Sequence, residues 1–129
     1  MRKAIGYLWA APWTLAGAGL AGLVWMTGGQ VGFRNGLIEA AGGALLRRLF
    51  PHLGPGGIVA ITMGHSVLAV DAGALATTRN HERVHVGQFE RWGLLFPVAY
   101  CLASLAAAAG GGHYYRDNRF EREARARAG

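Results

Sequence analysis

Cysteine is almost missing from this chain of 129 residues, in which Cys101 is the single example. A lone cysteine excludes an intramolecular disulfide, and it also excludes the zinc knuckles that are built from several thiolates. Cys101 lies in the apolar stretch "VAYCLASLA", where we expect it to be a small buried side chain. Any metal site in this chain must therefore use histidine and carboxylate ligands.

Charged residues are also scarce, because they make up 16% of the chain while hydrophobic residues make up 52%. The 7 acidic residues are outnumbered by 13 basic ones, which gives a net charge of +6. No long basic stripe interleaved with aromatic residues precedes the charged C-terminal end, so no nucleic-acid partner is expected. The mean hydropathy of +0.21 and the basic charge predict contact with membrane lipid instead.

Residues 4–27 contain no charge and follow the basic start "MRK". A helix of this length can cross a hydrocarbon core of about 30 Å. A cleaved signal peptide begins in the same way, but no small-residue cleavage site is followed here by a polar mature terminus. We therefore predict a membrane protein with a single N-terminal span in residues 1–28. Basic residues flank the span on both sides, so the side of the remaining chain is not predicted.

One helix and one hairpin are predicted in the region that follows. Residues 36–50 have apolar positions at helical spacing, which predicts a short amphipathic helix. Residues 58–63 and 66–70 are rich in β-branched residues and meet at a glycine-containing turn, which predicts a small β-hairpin. His65 at its tip is expected to be structural or exposed, and His52 is expected to be a loop histidine.

Two further helical segments are predicted before the charged C-terminal end. The first covers about residues 74–92, with Thr77 or Thr78 as its N-cap and Asp71 as another possible cap. The second, residues 93–109, is apolar and contains a proline. It is either a second membrane span or, as we prefer, a buried or membrane-dipping helix that lies behind the first.

The stretch "RNHERVHVGQFERWG" contains the pattern H-E-x-x-H on the first of these helices. Residues four apart project from one helix face, so His81 and His85 can present two imidazoles to one ion, usually Zn²⁺. Glu82 lies at the edge of that face, where it can act as the general base that takes a proton from metal-activated water. Gln88 and Arg91 are expected on the helix surface.

A catalytic zinc needs a third protein ligand, which should come from a separate downstream element. The acidic residues after the motif are Glu90, Asp117, Glu121 and Glu123. Glu90 follows on the same helix at a spacing that turns it away from the two histidines. Glu121 and Glu123 lie on a final helix, "RFEREARARA", for which Asp117 or Asn118 can be the N-cap. They are two residues apart, so at most one of them can face the metal.

The motif "HERVH" followed by "YRDNRFEREA" resembles the gluzincin group of zinc metallopeptidases. In that group a second helix supplies a glutamate ligand, which in several membrane-associated members precedes an alanine by three residues. The resemblance covers roughly residues 58–126 and implies Glu121, before Ala124, as the third ligand, with Glu123 at the helix surface or behind the ligands. Arg125 departs from the pattern, because an aspartate usually stands in its place.

The resemblance implies an α+β fold that is mostly helical and minimally zincin-like. It would combine an N-terminal transmembrane helix, the hairpin, the H-E-x-x-H helix and a glutamate-bearing C-terminal helix, with residues 29–129 as the metallopeptidase domain. It also implies Zn²⁺ as cofactor, a peptide or protein as substrate, and the strand pair beside the cleft as the holder of the substrate backbone. A homo-oligomer or a partner protein could complete so small a cleft.

The segment "HYY" before the last helix contains further candidates. His113, Tyr114 or Tyr115 could donate a hydrogen bond to the oxyanion of a tetrahedral intermediate, or could pack at the helix entry. Two other functions also stay open at this point. One is a non-catalytic membrane protein that uses the same ligands to hold a structural metal, and the other is a basic surface adaptor without metal.

Overall fold

The computed structural model describes residues 2–34, 36–53 and 57–128. The helices in these ranges are α1 (Arg2–Met26), α2 (Gly43–Leu49), α3 (Ala72–Trp92), α4 (Phe96–Ala109) and α5 (Arg119–Ala128). The strands are β1 (Gln30–Arg34), β2 (Leu37–Ala41), β3 (Ala60–Met63) and β4 (Ser66–Ala69). Short 3-10 turns at Phe50–His52 and Gly93–Leu95 connect some of these elements. The predicted α+β, mostly helical class is confirmed.

The four strands form one mixed sheet in the order β1-β2-β4-β3. β2 and β4 are parallel, and the other neighbouring pairs are antiparallel. The predicted hairpin is confirmed as β3 and β4, which are joined by Gly64 and His65. Gly64 has a φ of +60°, and a Cβ on it would come within 2.6 Å of the backbone nitrogen of Thr14. The turn therefore requires glycine, because it packs directly on α1.

The helix predicted over residues 36–50 is wrong in its first half, where the structure has β2. This strand lies in the interior of the sheet and is largely buried, so its apolar run does not alternate as an amphipathic strand would. Gly42 then separates it from α2, and Gly42 and Gly43, the first residue of that helix, both have φ near +80°. Glu39, which lies within the predicted helix, is buried in β2 and accepts hydrogen bonds from Arg79. β1 had no counterpart in the prediction.

α1 forms one side of the main hydrophobic core. Its residues Ala21 and Val24 pack with Leu46, Phe50 and Leu68 from the rest of the chain. The boundary predicted after residue 28 therefore separates parts that share a core. Two helical stretches, Tyr7–Met26 and Ala72–Ala109, are long and apolar enough to cross a membrane by length and composition. Core helices and signal sequences have the same properties, so the transmembrane span itself stays a prediction.

α3 begins at Ala72, two residues before the predicted start, and its N-cap is Asp71, the other cap considered above. The Asp71 carboxylate accepts a hydrogen bond of 2.7 Å from the backbone nitrogen of Ala74. Thr77 and Thr78 are not caps, since both lie inside the helix and their hydroxyls donate to carbonyls of the preceding turn. At the other end α3 stops at Gly93, which has a φ of +61°.

α4 is packed on one side only, so the expectation of a buried helix is wrong. Phe96, Tyr100 and Ala103 face the aromatic core, while Leu102 and Leu105 on the other side are more than half exposed. Cys101 is exposed as well, not buried as its apolar surroundings had indicated. The sequence misleads here because an apolar helix has no polar face that would reveal which side is covered. Whether α4 dips into a membrane stays a prediction.

The junction between α1 and the α3–α4 turn gives a prediction for stability. A Cβ on Gly93 would lie 1.7 Å from Nε1 of Trp9, so Gly93→Ala must displace that indole and strain a left-handed backbone. We expect it to lower the free energy of unfolding by about 1–3 kcal/mol, measured by chemical denaturation. Gly87→Ala is the matched control, because it lies within α3 with no atom within 4 Å. It should stabilise the protein by about 0.5–1 kcal/mol, and equal effects of both variants would contradict the packing described.

Candidate metal centre

The two histidines of the H-E-x-x-H motif lie on one face of α3, one helical turn apart. The centroids of the His81 and His85 rings are 5.0 Å apart, and the ring planes are inclined by 75°. The His85 side chain is 8% exposed, whereas that of His81 is 21% exposed. The pair is therefore enclosed on the side of His85 and open to solvent on the side of His81.

α5 brings Glu121 to these histidines. The side chain of Asn118 caps the helix by accepting a hydrogen bond of 2.8 Å from the backbone nitrogen of Phe120. Phe120 is buried in the aromatic core, and Ala124, three residues after Glu121, is fully buried. A small residue at position 124 lets α5 approach α3 closely, and the carboxylate of Glu121 consequently lies between the two imidazoles.

A single carboxylate oxygen is shared by the two rings. Oε1 of Glu121 lies 2.8 Å from Nε2 of His81 and 3.2 Å from Nε2 of His85. Four-coordinate zinc with bonds of about 2.0–2.1 Å has ligand atoms roughly 3.3 Å apart, which is close to these separations. Possible ligand atoms of the three residues all lie within 4.8 Å of one another. The cluster could hold a metal ion, and its three ligands leave further coordination positions open.

Gln88 fixes the orientation of the His85 ring. It lies three residues after His85 and is fully buried, so the expectation that it lies on the helix surface is wrong. Its amide nitrogen donates to the backbone carbonyl of Phe120 and to Glu123, both of which can only accept. Its oxygen must therefore accept the 2.7 Å hydrogen bond from Nδ1 of His85. A neutral His85 then has its lone pair on Nε2, which is the tautomer that a metal needs.

Gln88→Leu tests this contact. The variant keeps a side chain of similar size but removes the acceptor for the Nδ1 proton of His85. Because outer contacts of this kind typically contribute 10- to 100-fold in metal affinity, we expect zinc to bind about 10- to 100-fold more weakly. Competition with a chromophoric chelator measures the affinity. Arg91→Leu is the control, since Arg91 is exposed and pairs with Glu123 but not with a ligand. An unchanged affinity in Gln88→Leu would show that the ring needs no such support.

Tyr100 holds the second oxygen of Glu121. Its hydroxyl donates a 2.5 Å hydrogen bond to Oε2, so Oε1 alone faces the histidines. Burial opposes ionisation of Glu121, but the hydrogen bonds from His81 and His85 outweigh it and hold its pKa far below the usual range. For His85, burial lowers the pKa, and the hydrogen bond and charge of Glu121 more than compensate and raise it. Glu121 is therefore an anion that attracts positive charge to this point.

Glu82 is buried beside the cluster, where it contacts β3. Its Oε2 lies 2.7 Å from the hydroxyl of Thr62, which also lies 3.2 Å from the backbone carbonyl of Glu82. Burial raises the pKa of Glu82, while the charge of His85 and the hydrogen bond from Thr62 act in the opposite direction. A carboxyl whose pKa is raised toward neutrality is suited to accept and return a proton.

Among the residues in "HYY", Tyr115 lies near the cluster. Burial and the charges of Glu121 and Glu82 raise the pKa of its phenol to about 12, so it stays a hydrogen-bond donor. His113 instead uses Nδ1 to accept from the backbone nitrogens of Tyr115 and Arg116. Tyr114 stacks on the His113 ring at 4.6 Å.

The remaining candidate residues lie away from the cluster of His81, His85 and Glu121. Glu123 accepts hydrogen bonds from Gln88 and Arg91, so it reaches His85 only through Gln88. Glu90 points elsewhere, as expected, and its Oε2 lies 3.9 Å from Nε2 of His65. His65 is buried at the hairpin turn and stacks on the ring of Tyr7 at 3.7 Å, which agrees with a structural role.

Arg125, where the gluzincin pattern has aspartate, donates a hydrogen bond to the backbone carbonyl of Arg116. It therefore supports the segment before α5 and not a ligand. Among the described residues, Gln88 and Tyr100 support the ligands in its stead. Gln88 could have been found from the sequence, because the spacing of three places it on the face of His85. Tyr100 and Thr62 carry no such signal, since they come from other elements of the fold.

Comparison with known proteins gives this site no relative. Neither protein-family models nor curated proteins nor solved structures match the chain. Any function must therefore be inferred from the residues and their geometry.

Proposed function

We propose that this protein is a membrane-associated zinc metallopeptidase of gluzincin type. The observation that carries the proposal is the shared position of Oε1 of Glu121, within 3.2 Å of Nε2 of both motif histidines. α3 and α5 are distant in sequence, and they meet there in an arrangement that suits three ligands to one ion. Two imidazoles and one carboxylate suit zinc, and this is the ligand set of many zinc peptidases.

The chemistry follows from the groups around the ligands. A bound zinc ion would supply Lewis acidity, which makes water a nucleophile at neutral pH and polarises a peptide carbonyl. Glu82 would take the proton from the attacking water and return it to the leaving amine, so that its carboxyl is regenerated. Thr62 holds this carboxylate in place through the 2.7 Å hydrogen bond. Tyr115 would donate a hydrogen bond to the oxyanion that forms on the substrate.

The edge of the sheet supports a peptide as the substrate. β3 is the terminal strand of the sheet next to β4, and its Thr62 contacts the motif helix directly. An extended peptide could add to the outer edge of such a strand through backbone hydrogen bonds. This would place a peptide carbonyl beside Glu82 without a deep specificity pocket. The substrate is therefore proposed to be a peptide or an unfolded protein segment near a membrane.

A structural metal is the second candidate function. It is favoured by the fact that Glu121 joins α5 to α3 in a largely buried position, with side-chain exposure of only 4%. In that case the ion would hold the helix pair together, and the protein would not need Glu82 as a base. The two functions differ in what metal removal does to activity and stability.

Metal removal tests the proposed function. Protein purified in mild detergent is expected to cleave a mixture of fluorogenic peptides, to lose the activity with 1,10-phenanthroline, and to regain it with about one equivalent of zinc. A structural metal would instead give no cleavage with or without zinc, together with a large fall in melting temperature after chelation. Cleavage by the pure protein that resists complete zinc removal would contradict the proposal, because it would show a hydrolytic centre that needs no metal.

A further inference from the structure

The helix α1 is packed along its length against the remainder of the protein. Ala10, Gly17, Ala21 and Val24 are buried and are spaced by seven, four and three residues, so they share one face. Near the N-terminal end of the helix, the hydroxyl of Tyr7 donates to the carbonyl of Gly36 at 2.9 Å. Beyond its C-terminal end, the backbone nitrogen of Ala44 donates to the carbonyl of Thr27 at 2.9 Å.

The opposite face of α1 is apolar and exposed. Exposed fractions there reach 61% for Ile5, 76% for Leu8, 72% for Leu15 and 73% for Met26. Their positions differ by three, seven and eleven residues, so they lie on one side of the helix, about 180° from the buried face. This is an uninterrupted apolar surface, because no charged residue occurs from 4 to 27.

α4 carries a second apolar surface of the same kind. Val98, Leu102 and Leu105 lie on one helix face and are more than half exposed, and residues 92–112 contain no charge. α1 contacts the turn Gly93–Leu95 that leads into α4, where the indole nitrogen of Trp13 donates to the carbonyl of Leu94 at 3.1 Å. Leu94 and Leu95 are themselves exposed at this junction, so they extend the apolar surface from one helix to the other.

These packing relations oppose a bilayer crossing by α1. If α1 crossed alone, Leu46, Phe50 and Leu68 would lose the helix that covers them. If it crossed together with the core, the sheet would enter the hydrocarbon, although β1 is an edge strand in which every residue is exposed. Open sheet edges do not occur in lipid, because their backbone groups would lack hydrogen-bond partners.

We infer that the outer faces of α1 and α4 bind the surface of an anionic bilayer, with both helices lying in the interface and neither crossing it. The face is the set of exposed apolar residues of α1, of the turn Gly93–Leu95 and of α4 that are described above. Charge supports a bilayer as the occupant. Arg47 and Arg48 are exposed on α2, which contacts the end of α1. Arg47 donates to the carbonyl of Gly43, and no ion pair of either arginine occurs within the described ranges. Anionic headgroups complement such a pair, and the chain has a net charge of +6.

Thiol labelling in a bacterial expression host tests whether α1 crosses the membrane. In a Cys101→Ser background, one cysteine is introduced at position 2 and, in a second variant, one at position 30, so that the two flank the apolar stretch. An impermeant maleimide is then applied to intact spheroplasts, and lysed spheroplasts serve as the control. If α1 lies in the interface, both introduced cysteines are on the same side of the membrane. In intact spheroplasts the maleimide should then label both variants or neither. Labelling of one variant only in intact spheroplasts would overturn the inference, because α1 would then cross.

Vesicle binding tests the surface itself. The Cys101→Ser protein is mixed with preformed vesicles of phosphatidylcholine and phosphatidylglycerol (3:1) and sedimented. We expect the Leu102→Asp/Leu105→Asp variant to lose at least tenfold in binding, and Arg47→Glu/Arg48→Glu to weaken binding mainly at low salt. All four residues are exposed, and circular dichroism checks that the variants fold. Bilayer binding would be refuted if the protein did not sediment with the vesicles, or if these faces only joined copies of the protein to one another. Neither readout depends on zinc, so the proposed peptidase activity can fail independently.

Discussion

Glu82→Gln is expected to abolish peptide hydrolysis while zinc stays bound. The amide can still accept the hydrogen bond from Thr62, but it cannot take a proton from water. A positioned general base typically contributes about 10²- to 10⁴-fold, so kcat should fall by roughly three orders of magnitude. The zinc affinity should change by less than about tenfold, because Glu82 is a neighbour of the ligands and not one of them.

Glu90→Gln is the matched control for this result. It makes the same chemical change on the same helix, but Glu90 faces His65 and not the cluster. Its peptidase rate should equal that of the wild type. Peptide hydrolysis that survives in Glu82→Gln would remove Glu82 from the mechanism. Loss of zinc in the same variant would show instead that Glu82 belongs among the ligands.

Glu121→Ala is expected to weaken zinc binding by at least about 100-fold, since it removes one of three ligands and leaves two imidazoles that are only four residues apart. The matched control is Glu123→Ala on the same helix. Glu123 contacts Gln88 and Arg91 but neither histidine, so its loss should cost no more than about tenfold. Titration with zinc against a chromophoric chelator gives both affinities.

The comparison of the two glutamates decides between them as the third ligand. A larger loss in Glu123→Ala than in Glu121→Ala would contradict the geometry, in which Oε1 of Glu121 lies between the rings. Circular dichroism must accompany the titration, because removing Glu121 also removes its hydrogen bond from Tyr100 and could loosen α5. A variant that keeps its helix content and still fails to bind zinc isolates the ligand effect.

Local signals in the sequence predicted the elements that carry the chemistry. The hairpin followed from β-branched residues around a glycine turn, and the starts of α3 and α5 followed from candidate caps that included Asp71 and Asn118. β2 was missed because an interior strand shows no alternation and its parallel partner β4 is distant in sequence. β1 was missed although its partner β2 follows it closely in the chain, because the short run "QVGFR" contains a glycine and has little strand signal of its own. The packed face of α1 could not be predicted either, because a helix that is apolar all round does not indicate which face packs.

The candidate ligands were predictable to a similar extent. Spacing of four residues sets His81 and His85 on one face, and the elimination of acidic residues left Glu121 and Glu123. The resemblance to gluzincins favoured Glu121, which is the glutamate that reaches both rings. The supporting contacts of Thr62 and Tyr100 could not be found in this way, because β3 and α4 approach the motif only in the folded chain.

X-ray absorption spectroscopy at the zinc edge tests the central claim, that His81, His85 and Glu121 hold one zinc ion. Wild-type protein is loaded with one equivalent of zinc and compared with His85→Ala. The account predicts a four- or five-coordinate site with nitrogen and oxygen at about 2.0–2.1 Å, two imidazoles and no sulfur in the wild type. His85→Ala should lose one imidazole or the ion itself. A wild-type spectrum without imidazole, or one of hexahydrated zinc, would contradict the account.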